Sequence, residues 1–114
     1  MSKLELVTDQ NELIVVFCTA PDDETGERLA RGLVEKRLAA CVKVIPGVRS
    51  FYRWEGKLEV GSEIQLLIKT QCSHFEAIDK WIHEQHPYEV PELVALPASD
   101  VGGPYAEWVI EQTR

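Results

Sequence analysis

The apolar positions at the start of the chain fall into two kinds of run. LIVVFC, residues 13–18, is unbroken, the pattern of a central strand with neighbours on both edges and cover on at least one face. Pro21 stops it, and Asp22, Asp23 and Glu24 bring a capping oxygen and negative charge to the start of the next element. Leu29, Ala30, Leu33 and Val34 then recur at helical spacing, which predicts a helix to about Arg37 with that stripe toward the core. Residues 1–11 are polar and read as a loose N-terminal tail, so order is expected to begin near Leu13.

From residue 39 the period changes to two. In AACVKVIPGVRSFYRWEGKLEVGSEIQLLIKT β-branched and aromatic residues dominate, and Leu58, Val60, Ile64, Leu66 and Ile68 all fall on even positions. Glu55-Gly56 suits the two-residue turn of a hairpin, while Pro46-Gly47 and Gly61 are expected to bend or bulge its arms. Arms of about 14 residues at roughly 3.3 Å each span about 45 Å. A domain of about 100 residues has a radius of gyration of only about 13 Å, so the hairpin is expected to overhang. Its tip carries Phe51, Tyr52 and Trp54, an apolar load that a protruding ribbon buries only against another chain. A closed homo-oligomer is the expectation.

Ser73 and Glu76 match a capping box, and Phe75, Ile78, Trp81, Ile82 and Gln85 follow on one helical face. Pro87 ends that helix, since the residue before a proline is pushed out of helical geometry. ELVALP, residues 92–97, reads as a short strand, and Gly102, Gly103 and Pro104 introduce a last helix bearing Tyr105, Trp108 and Val109. The order β, α, β, β, α, β is packed most economically as an α+β, ferredoxin-like split βαβ domain, with an antiparallel sheet in the order 4-1-3-2, helices on one face, and a C-terminal helix. That order brings the end of the first strand beside the start of the fourth, and so Cys18 near Glu92, with His86 on the approach. Residues 12–114 are read as one such domain.

Composition narrows the function. Twelve basic against nineteen acidic side chains give a net charge of −7, which repels phosphate backbones and attracts cations, so nucleic acid is not an expected partner. The three cysteines, Cys18, Cys41 and Cys72, form no CxxC pair and leave one unpaired in any intrachain scheme, which points to a reducing compartment. With no stretch shaped like a secretory signal or long enough to span a bilayer, a soluble cytoplasmic protein without a membrane partner is expected.

FCTAPDDE, KRLAACVKVIPGVRSFYRWEGKLE, LLIKT, HPYEVPEL and YAEWV, in that order over residues 12–112, resemble the CutA-type divalent-cation-tolerance family. The resemblance implies a ferredoxin-like subunit in a compact homotrimer similar in architecture to the PII signalling proteins, and a cytoplasmic role in tolerance of copper and other divalent cations. It also implies a ligand set: the cysteine matching Cys18, a histidine at the end of the second helix, and the glutamate matching Glu92. Here Gln85-His86 stands where many members carry two histidines. Gln85 matches the position usually assigned as ligand, and an amide is a weak copper ligand, so His86 must substitute.

Each candidate has a plainer reading beside it. A thiolate at Cys18 suits copper, or zinc as the alternative, whereas a buried cysteine is often a small apolar filler. His83 and His86 share a face only if the helix reaches 86; His74 is assigned no role. Tyr52, Arg53, Lys57 and Lys69 are an alternative set, lining an inter-subunit cleft for an anionic ligand in a PII-like signalling trimer without a physiological metal site, by analogy of fold alone. Acid–base catalysis by His86 and Glu92 is a third reading; no paired-carboxylate or Ser-His-Asp spacing supports it, and the expectation is a protein without catalytic turnover.

Overall fold

The computed structural model describes residues 12–114, and the expected N-terminal tail lies outside the described residues. The elements run β1 (Leu13–Ala20), α1 (Asp23–Glu35), β2 (Cys41–Trp54), β3 (Lys57–Gln71), α2 (Phe75–Gln85), β4 (Val94–Pro97) and α3 (Gly103–Gln112). The strands form one antiparallel sheet in the order β2-β3-β1-β4, the predicted order read from the other edge. The domain is α+β with the split βαβ arrangement.

Alternation along the two central strands sets the layers. Ile14, Val16, Cys18 and Ala20 of β1 and Ile64, Leu66 and Ile68 of β3 share one face, and with Leu29 and Leu33 of α1 and Ile78 and Ile82 of α2 they make the core. Asp22 caps α1, accepting from the Thr25 amide at 2.8 Å, and that hydrogen bond holds its carboxyl below the usual carboxylate range. The capping box at Ser73 does not form: a short 3-10 turn, Cys72–His74, precedes α2, whose cap position is His74 with no side-chain bond to the helix's own amides. Gln85 ends α2 as expected, with His86 extended (φ −82°, ψ 138°).

The other sheet face has little helical cover. Phe17 pairs with Leu67 and Val94, and Val15 with Leu96; Ile45, Val94 and Leu96 are 41%, 51% and 49% exposed. Only the far end meets α3, where the Tyr105 ring lies 5.6 Å from Lys69 Nζ.

The hairpin overhangs as predicted. The long axis is 45 Å and the radius of gyration 14.9 Å. Glu55 and Gly56 both have positive φ (50° and 80°), the signature of a tight turn whose twist matches its strands. A register shift between Ile45 and Val48 puts a bulge at Pro46-Gly47, but β3 runs unbroken through Gly61, which pairs with Ser50, so the expected second irregularity is absent. Beyond the bulge the apolar stripe of β3 outruns the helices. Phe51, Leu58 and Val60 are 63%, 71% and 57% exposed.

Candidate functional site

The segment after α2 crosses the end of β1. The His86 ring turns inward as the helix ends, to 8% exposure. Its Nε2–H donates to the Thr19 carbonyl at 2.6 Å, and its Nδ1 accepts from the Tyr88 amide at 3.0 Å. These two partners assign the ring proton to Nε2. The Tyr88 ring packs on the imidazole, centroids 4.7 Å apart, and its hydroxyl donates to Glu63 Oε2 at 2.8 Å. Burial first, then the bond to Glu63 and that carboxylate's charge, push the phenol's pKa up, so Tyr88 stays a neutral donor.

Cys18 is wholly buried. Its Sγ lies 3.7 Å from the same Thr19 oxygen that receives the imidazole. Burial, and after it the charges of Glu92 and Glu63, push the thiol from 9.0 to about 12. Glu92 is exposed; it accepts from Gln65 Nε2 at 3.3 Å, and the same amide donates to the Cys18 carbonyl at 3.0 Å. Cys18, His86 and Glu92 are therefore neighbours around the last turn of β1, as the strand order requires.

They do not yet aim at one point. The thiol keeps its proton inside the core, both imidazole nitrogens are bonded to backbone, and the carboxylate faces solvent. Among the described residues no group of three or more His, Cys, Asp or Glu side chains is arranged to hold a metal ion. Sulfur, imidazole and carboxylate are a donor set suited to copper or zinc, but the resting geometry does not present it.

The other sequence candidates scatter. Exposed His83 bonds to Asp79 of its own helix, 3.1 Å to the carboxylate and 2.9 Å to the carbonyl, so it does not pair with His86. Gln85 faces α1, its side-chain and main-chain oxygens accepting from Arg28 at 3.3 and 3.0 Å. His74 bonds to the Thr113 carbonyl at the end of α3. Lys69 lies under Tyr105, away from Tyr52.

Sequence reasoning missed Glu63 and Gln65, the partners of Tyr88 and Glu92. Glu63 and Gln65 are ordinary polar positions on an alternating strand, and their partners lie 25 and 27 residues away in the chain. Between the outer hairpin and residues 88–92, Glu63 and Tyr88 border a groove of about 630 Å³ that Tyr52, Trp54 and Glu92 also line.

A four-stranded split βαβ sheet with an overlong hairpin defines a ferredoxin-like protein of one narrow kind. The family model described as CutA1 divalent ion tolerance protein matches residues 14–112. The Divalent-cation tolerance protein CutA of Pectobacterium atrosepticum is 51% identical over 103 residues, covering 90% of this chain and 94% of that one. Among solved structures, CutA from Xylella fastidiosa superposes with a TM-score of 0.88 at 41% identity, covering 90% of this chain and 99% of that one. The divalent cation tolerance protein (Cut A1) from Thermus thermophilus gives 0.87 at 41%, with the same coverage. The chain belongs to the CutA1 divalent ion tolerance family.

Proposed function

We propose that this chain acts in divalent-cation tolerance as a cytoplasmic homotrimer that takes up copper, or zinc in its place, at the corner of Cys18, His86 and Glu92, without catalytic turnover. The observation that carries the metal reading is the shared Thr19 carbonyl, which sets the sulfur and the imidazole against one oxygen with Glu92 on the adjoining amide. Because the thiol holds its proton and the imidazole its two backbone bonds, uptake requires both to let go. Modest affinity, rising with pH, is the consequence.

Assembly is supported by the uncovered sheet face around Phe17, Val94 and Leu96 and by the exposed stripe of Phe51, Leu58 and Val60, apolar surface that a lone subunit leaves in water. Three cysteines without a disulfide among the described residues support a reducing compartment. None of the described helices is long and apolar enough to cross a membrane.

Light scattering at micromolar concentration is expected to give three times the 12.9 kDa chain mass. A monomer mass removes the assembly. Metal analysis of protein purified without a histidine tag or chelator is expected to find substoichiometric copper or zinc; a trimer that retains an organic ligand and takes up no metal favours the PII-like signalling reading instead.

A further inference from the structure

The groove beside the corner has a chemistry of its own. Among the described residues its lining includes Tyr52, Trp54 and Tyr88 with the acidic Glu63, Glu89 and Glu92, and no Lys, Arg or His; Phe51 also borders it, but the register turns its side chain to the other face of the hairpin. Of Tyr52, Arg53, Lys57 and Lys69, the alternative set for an anion cleft between subunits, Tyr52 lines this groove within one subunit. At about 630 Å³ the space is of the size that holds small ligands.

The rings and acids are tied together. The register places Tyr52, Ser50, Gly61 and Glu63 on one face of the hairpin. The Tyr52 ring lies across Gly61, with Cε1 3.8 Å and the hydroxyl 3.9 Å from where a Cβ would stand, and Glu63 Cγ is 4.0 Å from the same point. Glu63 in turn fixes Tyr88 through the 2.8 Å hydroxyl bond. In the lone subunit Tyr52 is 47% and Trp54 45% exposed, ring surface open to a ligand wherever the neighbouring copy leaves the tip uncovered. Neutral aromatic faces attract cations through their quadrupoles, and a carboxylate at the edge supplies a counter-charge and an acceptor for N–H groups. A hydrated divalent ion gains little from ring faces. An anion meets three carboxylates. The combination selects an organic cation with an apolar body.

We propose that the groove between the outer hairpin and residues 88–92 is a binding site for a small alkylammonium ion, its apolar chain against Tyr52 and Tyr88 and its ammonium group at Glu63 and Glu92. The site shares Glu92 with the metal corner and uses neither Cys18 nor His86. Phe51 apart, it also stands off the Leu58–Val60 stripe assigned to a neighbouring copy.

The test is titration of the full chain with n-butylammonium, read by amide and side-chain NMR shifts, against neutral 1-butanol, with oligomeric mass recorded for every variant. Saturable shifts confined to Tyr52, Glu63, Tyr88 and Glu92 are expected for butylammonium and not for butanol. Tyr52→Leu and Glu63→Gln should each weaken binding about fivefold or more, and Tyr52→Phe, which keeps the ring face, should bind like the parent. Cys18→Ser should leave butylammonium binding intact, which separates failure of this site from failure of the metal corner. Equal binding of butanol, shifts spread over the acidic surface at large, no saturable shifts, or parental affinity in both Tyr52→Leu and Glu63→Gln would each overturn the proposal.

Discussion

Leu66→Ala is expected to lower the free energy of unfolding by about 2–5 kcal/mol. Leu66 is fully buried at the middle of β3, opposite Cys18 on one side and Val44 on the other, and faces the core shared with α1 and α2. Both neighbouring strands are fixed by long ladders, so the sheet cannot collapse into the space the lost atoms leave, and the cavity cost adds to the lost transfer energy. A domain of this size has about 5–15 kcal/mol in total. The denaturation midpoint at a fixed protomer concentration, since assembly adds to apparent stability, should fall by a large fraction of the parental value. An unchanged midpoint would place Leu66 outside the core.

Leu58→Asp is expected to do the opposite kind of damage, leaving the fold and breaking the trimer. Leu58 is 71% exposed in the lone subunit, on the overhang next to Val60 and Phe51, so the substitution costs the subunit little, within about 0.5 kcal/mol for an ordinary surface site. In the assembly it replaces an apolar contact worth about 2 kcal/mol with a carboxylate, whose cross-strand neighbour Arg53 offsets part of its charge but restores none of the apolar contact. Even that much is about thirtyfold per contact in the association constant. Sedimentation or light scattering across a dilution series should show monomer where the parent is trimeric, with an unchanged far-ultraviolet circular dichroism spectrum. A Leu58→Asp trimer of parental stability would mean that the hairpin tip is not an interface.

How far the sequence could be read differs between fold and site, for a physical reason. Periodicity reports local geometry, and LIVVFC, the even-numbered apolar residues of β3 and Pro87 each settle their own element before any contact is known. Chain-handedness rules then leave one economical strand order, which the sheet adopts. Where local signals mislead, a tertiary contact competes. Ser73 lost its cap to the 3-10 turn that follows Gln71, whose side-chain amide is held by Thr113. Gly61 needed no bulge, because Tyr52 leans across it.

The site was legible only as proximity. Strand order alone brought Cys18, His86 and Glu92 to one corner, but which way a side chain points there depends on bonds made across the fold. The imidazole is turned by the Thr19 carbonyl and the Tyr88 amide. The carboxylate is held by Gln65, and the thiol is sealed by helices that pack on the other side of the strand. None of these partners has a spacing that announces it. The Tyr88–Glu63 bond, which shapes the groove, is likewise invisible before the hairpin and the loop have met.

Copper and zinc titrations of the parent, Cys18→Ser, His86→Ala and Gln85→His, each at pH 6 and pH 8, test the central claim most directly. The native thiol, raised to about 12, remains protonated across this range. A bound ion must displace that proton, so affinity should rise with pH, by about tenfold per unit for one proton released. Cys18→Ser and His86→Ala should abolish specific uptake, and Gln85→His, which restores an imidazole at the end of α2, should strengthen it. Parental affinity in both Cys18→Ser and His86→Ala, with no dependence on pH, would contradict the claim and leave the corner as the place where a helix turns into a strand.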